Sequence, residues 1–352
     1  MPLGLEDIKS ASLEELKTRF AAEGQPPFRA LQVYRWLARG VASFDEMTDL
    51  PASFRRTLAE KNYIASARIE RKLCSRLDDT VKYLFRMHDG QLVESVLMRY
   101  KYGWTICISS QVGCKMDCSF CATGKSGFSR NLSASELLAQ IQSAQKDMGV
   151  RISNVVLMGM GEPLDNYENV TRFLDLVSSE DGMNIGMRHI SLSTCGIVDR
   201  IYDLAQKNYQ LTLSVSLHAP NDRIRSRLMP VNRRWNVEEL LAACRVYLQK
   251  TGRRISFEYA MIDEVNDSER CAQELAGRLH GMLCHVNLIP VNRVQGSPFE
   301  KSRKEALQKF LSVLIKNGIS ATVRRTLGAD IDASCGQLRR RYQEEGTSVE
   351  GL

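Results

Sequence analysis

The sequence has 352 residues, of which 43% are hydrophobic and 25% are charged, and its formal net charge is +7. This is the composition of an ordinary globular protein, long enough for two or three domains or for one large α/β domain with an appendage. It excludes a membrane-spanning chain, because no run of about 18 apolar residues occurs. The N-terminal stretch MPLGLEDIKSASLEEL lacks the basic and apolar segments of a secretion signal. We therefore expect a cytoplasmic protein without a membrane partner.

Two regions precede the main domain. Residues 1–75 are predicted to form a small helical domain, because SASLEELKTRFAAEG and FRALQVYRWLARGV carry apolar residues at helical spacing. In residues 76–103, the segments VKYLFRM and QLVESVLMRYKYG flank the turn HDG, which is typical of a β-hairpin. We expect this hairpin to lead into the main domain.

Residues 104–327 alternate short β-branched segments with amphipathic helices. Six segments are predicted as strands: WTICIS, ISNVVLM, RHISLST, LTLSVSLH, ISFEYAMI and CHVNLIPV. Three of the helices between and after them begin with a capping-box pattern: Ser133 with Glu136, Asn236 with Glu239, and Ser302 with Glu305. Six successive βα units predict an α/β fold, a parallel sheet arranged as a partial (β/α)6 barrel. A seventh strand, SATVRRT, is expected at one edge, and residues 328–352 form a C-terminal segment.

Glycines and polar residues follow several of these strands. In a parallel barrel the loops after the strands share one rim, where binding sites are built. The rim residues are Gly161 and Glu162 after the second strand, Ser193 after the third, Ser216, Leu217 and His218 after the fourth, and Asn292 after the sixth. Alone, each has an ordinary explanation, since Gly-rich loops are commonly turns and a histidine commonly bonds a nearby carbonyl. Together they predict one site, where glycines let the backbone approach a ligand and Glu162 meets an ammonium group.

Three cysteines lie within eight residues of the loop after the first strand: Cys114, Cys118 and Cys121 in GCKMDCSFC. In a chain without a secretion signal, close cysteines are more often metal ligands than disulfides. A structural zinc site takes four protein ligands, normally as two separated pairs. Closely spaced thiolates also hold a cubane iron–sulfur cluster, and three of them leave one of its four irons open. The residues alone leave an incomplete zinc site or a chance spacing as alternatives.

This cysteine spacing, placed after the first strand of a βα series, resembles the radical S-adenosylmethionine (SAM) superfamily. The resemblance implies a [4Fe-4S] cluster whose open iron chelates the amino and carboxylate groups of SAM. One electron then cleaves SAM to methionine and a 5′-deoxyadenosyl radical. The rim residues would accordingly form the SAM pocket.

Longer motifs resemble the RlmN/Cfr family of RNA adenine methyltransferases: GCKMDCSFCATGKSGFSRNLSASEL, MGMGEPLDN, SLHAPNDRIRSRLMPVN and DIDASCGQL. The resemblance implies two SAM molecules per turnover, one that methylates Cys335 and one that supplies the radical that activates this methyl group. It implies that the resulting carbon radical adds to adenine and that Glu94 accepts the ring proton. It also implies that Cys107 releases the product by forming a disulfide with Cys335. Without the family pattern, Cys107 would be a buried hydrophobic residue and Glu94 an exposed hairpin carboxylate.

The family has two branches, which differ in the carbon that they methylate. One methylates C2 of adenine 2503 in 23S rRNA and of adenine 37 in tRNAs, and the Cfr type methylates C8 of the same rRNA base. GFSRNL, LIPVNRV and SPFEKS resemble the C2 branch, whereas YKYGWTICISSQ is similar to Cfr. We expect the C2 reaction.

Two alternatives belong to other classes of protein. A radical SAM enzyme that acts on a small molecule or a peptide would need neither Cys335 nor Cys107. A non-catalytic, metal-stabilised RNA-binding protein would have no use for the SAM-like rim.

The resemblance also implies partners. The helical N-terminal part is similar to the family's RNA-contacting accessory domain, and the expected substrates are 23S rRNA and tRNA. Basic clusters such as NRRW, VRRT and LRRRY permit RNA binding but are more commonly solvated surface. A flavodoxin with its reductase is the expected electron donor, and we expect a monomer.

Overall fold

The structure is a computed structural model that describes residues 4–124, 127–291, 298–333, 338–339 and 342. Its strands are β1 (Glu6–Asp7), β2 (Asn62–Tyr63), β3 (Arg68–Cys74), β4 (Val81–Arg86), β5 (Leu92–Tyr100), β6 (Gly103–Cys107), β7 (Gln111–Gly113), β8 (Phe128–Asn131), β9 (Ile152–Leu157), β10 (Ile190–Thr194), β11 (Thr212–Ser216), β12 (Ile255–Met261), β13 (Cys284–Pro290) and β14 (Ala321–Val323). Its α-helices are α1 (Leu13–Ala22), α2 (Phe28–Arg39), α3 (Ala52–Lys61), α4 (Ala134–Met148), α5 (Tyr167–Ser178), α6 (Val198–Lys207), α7 (Asp222–Leu228), α8 (Val237–Thr251), α9 (Glu269–Leu279) and α10 (Lys304–Lys316). Over these residues, no helix is both long and apolar enough to cross a membrane.

One ten-stranded sheet organises the molecule, in the order β14-β13-β12-β11-β10-β9-β6-β5-β4-β3. From β6 to β14 every neighbouring pair is parallel, and at least one α-helix connects each strand to the next. All six predicted strands and the seventh are present, so the predicted partial β/α barrel is confirmed. From β3 to β6 the pairs are antiparallel, and the predicted hairpin, β4 and β5, is therefore part of the same sheet.

Capping residues set where the helices begin. The predicted capping boxes are present at Ser133 for α4 and at Asn236 for α8, where each side chain accepts the backbone N–H three residues on. The box predicted at Ser302 is wrong, because α10 is capped at Arg303 without a side-chain bond. Lys301 pairs with Ile262 in an antiparallel bridge, which keeps the chain extended up to this point.

The N-terminal region is helical only as far as Lys61. Helices α1 to α3 are present as predicted, but Arg68–Cys74 is strand β3, so the prediction that helical structure continues to residue 75 is wrong. Strand β3 lies at the edge of the sheet, where charged side chains can meet solvent. The highly charged sequence RIERKLC suits this position. The predicted domain boundaries stay predictions.

The N-terminal helices and the barrel share one hydrophobic core. Leu16 of α1, Val33 of α2 and Leu137 of α4 belong to the same continuous cluster of buried residues. Lys9 crosses this junction, since its Nζ donates hydrogen bonds to the Ala65 carbonyl (2.6 Å) and to Oε1 of Gln142 on α4 (2.9 Å). Burial lowers the pKa of Lys9 to about 8. The junction is therefore buried and specifically bonded.

Candidate active site

A cavity of about 310 Å³ lies at the carboxyl ends of the parallel strands. Its wall contains eight of the predicted residues: Cys114, Cys118, Cys121, Gly161, Glu162, Ser193, Ser216 and His218. The structure thus brings the cysteine loop and the rim together. Leu217 is not on this wall, because its side chain is fully buried and its backbone N–H and carbonyl bond Glu258 and Arg225. Asn292 and Cys335 lie outside the described residues.

The loop that carries the three cysteines runs between β7 and β8 and is held by backbone hydrogen bonds. The N–H of Cys114 donates to the Gly127 carbonyl (2.9 Å), and the N–H of Cys121 donates to the Cys118 carbonyl (3.0 Å). The N–H of Ser119 donates to the carbonyl of Leu228 at the end of α7 (2.9 Å), which ties the loop to the opposite side of the cavity. All three thiols are free and line the same wall.

These thiols need a cation before they can ionise together. Burial raises the pKa of Cys114 to about 12, and the nearby charges of Glu162 and Cys121 act in the same direction. Burial, followed by the charges of Cys121 and Cys114, also raises the pKa of Cys118. Three thiolates in such a place are stable only when positive charge binds them.

The donor set fits an iron–sulfur cluster. Across the part of the chain that the structure describes, no three His, Cys, Asp or Glu side chains are gathered around one metal-ion position. A cubane cluster makes no such demand, because each thiolate binds a different iron. Cys114, Cys118 and Cys121 are therefore the residues that would hold it. Cys195 also lines the cavity, but it follows β10 and not the cysteine loop, and its backbone N–H donates to Glu162 Oε2 (2.7 Å).

Glu162 is a buried carboxylate anchored by backbone donors. Its Oε1 accepts the N–H of Leu164 (2.9 Å) and its Oε2 accepts the N–H of Cys195. Burial raises its pKa. Each carboxylate oxygen accepts through two lone pairs, so both retain capacity for an ammonium donor. The geometry holds Glu162 on the cavity wall in one fixed orientation.

The glycines beside Glu162 serve a packing purpose that differs from the expected one. A Cβ on Gly159 would lie 2.5 Å from the Ile108 carbonyl oxygen, and one on Gly161 would lie 2.5 Å from Cβ of Gln111. Gly161 also has φ +100, where side chains are strained. The glycines therefore let the loop after β9 approach the chain that follows β6, and the prediction that they admit a ligand stays a prediction.

His218 is fixed as a neutral ring. Its Nδ1 accepts the N–H of Ala260 (2.9 Å), which leaves the proton on Nε2. Burial, with a contribution from the Arg225 charge, lowers the pKa of His218 to about 3. The ring meets Phe120 of the cysteine loop edge-on at 4.8 Å between centroids. His218 thus links the loop after β11 to the cysteine loop.

The sequence did not predict a role for Arg225, which positions the rim loops by bonding their backbone carbonyls. This guanidinium on α7 is fully buried and donates to the carbonyls of Leu217 (3.1 Å), Ser216 (3.1 Å) and Cys195 (2.6 Å), and to Oδ1 of Asn232 (3.0 Å). It joins the ends of β10 and β11 to Asn232, in the segment that follows α7. The signal available in the sequence was its place in SLHAPNDRIRSRLMPVN, between the apolar Ile224 and Leu228.

Two further predicted residues, Glu94 and Cys107, lie inside the sheet. With Val96 and Met98 of β5 they form what we call the Cys107 face. Val96 pairs directly with Cys107, and alternation puts Glu94 and Met98 on the same side. Val96, Met98 and Cys107 form a small buried cluster, against which Met158 packs. Because Met158 also lines the cavity, the Cys107 face adjoins it.

Glu94 is fully buried, so it is not the exposed hairpin carboxylate that its local sequence alone would suggest. Its Oε2 lies 3.1 Å from Nζ of Lys82, which is also fully buried. The Lys82 Nζ donates to the Asp332 carbonyl (2.8 Å), and Oε1 of Glu94 accepts the backbone N–H of Arg339 (2.7 Å). The described residues on either side of segment 334–337, which contains Cys335, are thus bonded to this ion pair.

A partial β/α barrel with a three-thiol loop at its rim defines a radical SAM enzyme. The profile of the Radical SAM superfamily matches residues 108–272, and that of the ribosomal RNA large subunit methyltransferase N-terminal domain matches residues 6–64.

Similar proteins identify the family within this class of enzymes. The chain is 50% identical over 341 residues to the probable dual-specificity RNA methyltransferase RlmN of Clostridium acetobutylicum, covering 97% of this chain and 99% of that one. It is 50% identical to the protein of the same name from Clostridium tetani, over 96% of both chains. The crystal structure of a radical SAM methyltransferase from Sphaerobacter thermophilus matches with a TM-score of 0.90 and 46% identity, covering 94% of this chain and 98% of that chain. The chain belongs to the RlmN family of radical SAM methyltransferases.

Proposed function

We propose that this enzyme methylates C2 of adenine 2503 in 23S rRNA and C2 of adenine 37 in tRNAs, through a methylated cysteine. The observation that carries the proposal is the Cys107 face, where a thiol and a buried, ion-paired carboxylate adjoin the three-cysteine cavity. A radical SAM enzyme that acts on another substrate has no need of this second group. The printed name of the relatives, dual-specificity RNA methyltransferase, supports RNA as the substrate class.

The cavity residues would hold the cofactors. Cys114, Cys118 and Cys121 would bind a [4Fe-4S] cluster, and Glu162 would accept hydrogen bonds from the amino group of SAM. Ser193, Ser216 and His218 line the remaining wall, and Leu217 and Asn292 complete the proposed set. When bound, the cluster and SAM supply the one-electron chemistry that activates an otherwise unreactive methyl group.

The second group handles the methyl carbon and the ring proton. Cys335 takes the methyl group from one SAM, and a second SAM is consumed to activate that group for addition to C2. Glu94 accepts the ring proton, and its Oε2 lies 3.1 Å from Nζ of Lys82. After the ring proton has left, the unpaired electron of the adduct must pass to a one-electron acceptor, a role that the bound cluster would supply. Release follows when the Cys107 sulfur attacks the Cys335 sulfur: the S–S bond forms, the bond between Cys335 and the transferred carbon breaks, and that carbon takes the electron pair and a proton to become the methyl group. The new disulfide then needs two electrons from a reductant to regenerate both thiols.

The electron donor and the assembly belong to the same proposal. A flavodoxin with its reductase supplies the electrons, and the enzyme works as a monomer in the cytoplasm, where thiols are kept reduced. Sedimentation of the cluster-loaded protein with and without RNA checks the monomer.

The test uses SAM with a deuterated methyl group. The anaerobically reconstituted enzyme is incubated with this SAM and an rRNA fragment that contains the target adenine, and the digested nucleosides are analysed by mass spectrometry. We expect 2-methyladenosine with two of the three deuterons, because one is removed when the methyl group is activated. The Cys335→Ala variant, run beside it, should give none. An 8-methyladenosine product would move the reaction to C8, and SAM cleavage without any methylated adenine would refute the RNA proposal.

A further inference from the structure

The turn between β5 and β6 carries an exposed aromatic pair. Tyr100 and Tyr102 stack with their ring centroids 5.1 Å apart and their planes 4° from parallel. Tyr102 is 69% exposed, an unusually open position for a large ring, while Tyr100 is only partly buried. With one face on Tyr100, Tyr102 offers its other face to solvent.

The turn is held rigidly, so the pair is already arranged before any ligand arrives. Gly103, which ends the turn, has φ +123, and a Cβ there would come into close conflict with the Ser153 side chain at the start of β9. The Tyr100 hydroxyl lies 3.8 Å from the sulfur of Met98. A preformed stacking surface binds with little loss of conformational entropy.

Positive charge surrounds this pair. Lys101 lies between the two tyrosines in the chain, and the exposed Arg324 and Arg325 follow β14. Both arginines are close enough to act electrostatically on Tyr100. In the described part of the chain, none of these three cations makes an ion pair with a carboxylate. An aromatic face among cations without counter-charges suits a polyanion that carries flat rings.

The same surface is continuous with the catalytic interior. Tyr100 packs against the cluster of Val96, Met98 and Cys107, and Arg324 lies on the wall of the cavity that holds the three cysteines. The turn itself precedes β6, at the opposite end of that strand from the cavity, so a chain bound there would reach the proposed catalytic residues past Tyr100 and Arg324.

From these observations we infer that the Tyr100–Tyr102 turn, with Lys101, Arg324 and Arg325, binds single-stranded RNA next to the target adenine. An unpaired base stacks on Tyr102, and the three cations contact the flanking phosphates. This inference rests on the proposed function, because it assumes an RNA substrate. It explains how the target base stays unstacked from its neighbours, since a ring of the protein replaces one stacking partner.

The test measures the binding of a fluorescently labelled single-stranded RNA that contains adenine, by anisotropy, to the cluster-loaded enzyme. Tyr102→Ala should weaken binding by about 5-fold to 100-fold, the usual range for removal of one base stack. Tyr102→Phe keeps the ring and should stay within about twofold of wild type. Tyr202→Ala, which removes an exposed tyrosine of α6, is the matched control and should have no effect. A duplex of the same sequence should not respond to Tyr102→Ala, because its bases are already stacked.

A second measurement separates charge from stacking. The double variant Arg324→Ala with Arg325→Ala should reduce the slope of log affinity against log salt by about 0.7 for each phosphate that the variant no longer neutralises. Lys207→Ala, an exposed lysine at the end of α6, is the control for a general loss of charge. In methylation assays Tyr102→Ala should raise KM for RNA and leave kcat within about twofold, with unchanged iron content.

The outcomes distinguish this inference from the proposed function. If wild type methylates RNA but Tyr102→Ala matches it in affinity and KM, the surface is not the RNA site. Equal losses in Tyr102→Phe and Tyr102→Ala would also overturn it, because the ring would not be what binds the base. If wild type neither binds nor methylates RNA, the proposed function itself has failed.

Discussion

The cofactor cavity and the Cys107 face are built in opposite ways. The cavity lies in loops after parallel strands, where backbone bonds, glycines and the buried Arg225 set the position of each loop. The Cys107 face lies within strands of the antiparallel part of the sheet, and its carboxylate is held by a buried lysine. Loops are positioned by many backbone bonds, whereas the strand-built group centres on a buried ion pair. The two sites should therefore respond differently to substitution.

The largest effect is expected at the cavity. Cys118→Ala removes one of three cluster ligands, so iron binding and methylation should both be lost, as measured by iron content and product formation. The fold should persist, because Cys118 is only partly buried and packs at the margin of the main core. Cys74→Ala, which removes an exposed thiol of β3, should keep full iron content. Retention of iron by Cys118→Ala would show that another residue holds the cluster.

The Cys107 face should show the largest loss of stability. Lys82→Met leaves Glu94 buried without its cation, which typically costs about 3–5 kcal/mol, measurable by urea unfolding. Adding Glu94→Gln to Lys82→Met should restore part of this loss, because the unpaired charge is gone. If the ion pair contributed nothing to stability, the losses of unfolding free energy from the two single substitutions would simply add in the double variant. That result would remove the contrast between the two sites.

A moderate effect is expected from the loop after β9. Gly161→Ala adds a Cβ 2.5 Å from Gln111 at a strained φ, so it should destabilise the protein by about 1–3 kcal/mol. It should also lower SAM affinity, because Glu162 moves with the loop. Gly149→Ala is a useful comparison: its φ is also positive, but no atom lies within 4 Å of the added Cβ. The difference in stability between the two variants measures the effect of the close approach to Gln111. Equal losses of stability would contradict the packing role of Gly161.

The smallest effect is expected at Cys195. Although Cys195 lines the cavity, its bonds to Glu162 and Arg225 come from the backbone, so Cys195→Ala should keep both. Iron content should match wild type, and stability should fall by about 1 kcal/mol for removal of the buried sulfur. A drop in iron content would indicate that Cys195 is a fourth cluster ligand and does more than line the cavity.

The sequence predicted the cavity much better than the Cys107 face. The six strands were found because strands of a parallel sheet are buried on both sides and appear as β-branched runs. Rim residues follow from the strand ends, so their meeting at one cavity needed no distant information. Strand β3 was missed because an edge strand as charged as RIERKLC has no apolar alternation to mark it.

Contacts between residues far apart in sequence explain why the surroundings of the other residues were not predicted. Glu94 looks exposed in a hairpin until Lys82 and the backbone of Arg339, 245 residues away in sequence, are brought to it. Arg225 resembles any surface arginine of a polar helix until four acceptors from three segments surround it. The role of Cys107 rested on family resemblance, since its strand alone looks like core. Buried charges of this kind are set by tertiary contacts, which local patterns do not encode.

The shared core of the N-terminal helices and the barrel has a consequence for RNA. Because Lys9 and Gln142 bond across a buried junction within one continuous core, the accessory region cannot swing out as a separate arm to capture a substrate. The protein instead presents one stiff surface, and the nucleic acid must supply the deformation. An RNA whose target nucleotide is already loosened would then react in preference to one in which it is stably stacked, so selectivity would come from the flexibility of the RNA as well as from its sequence.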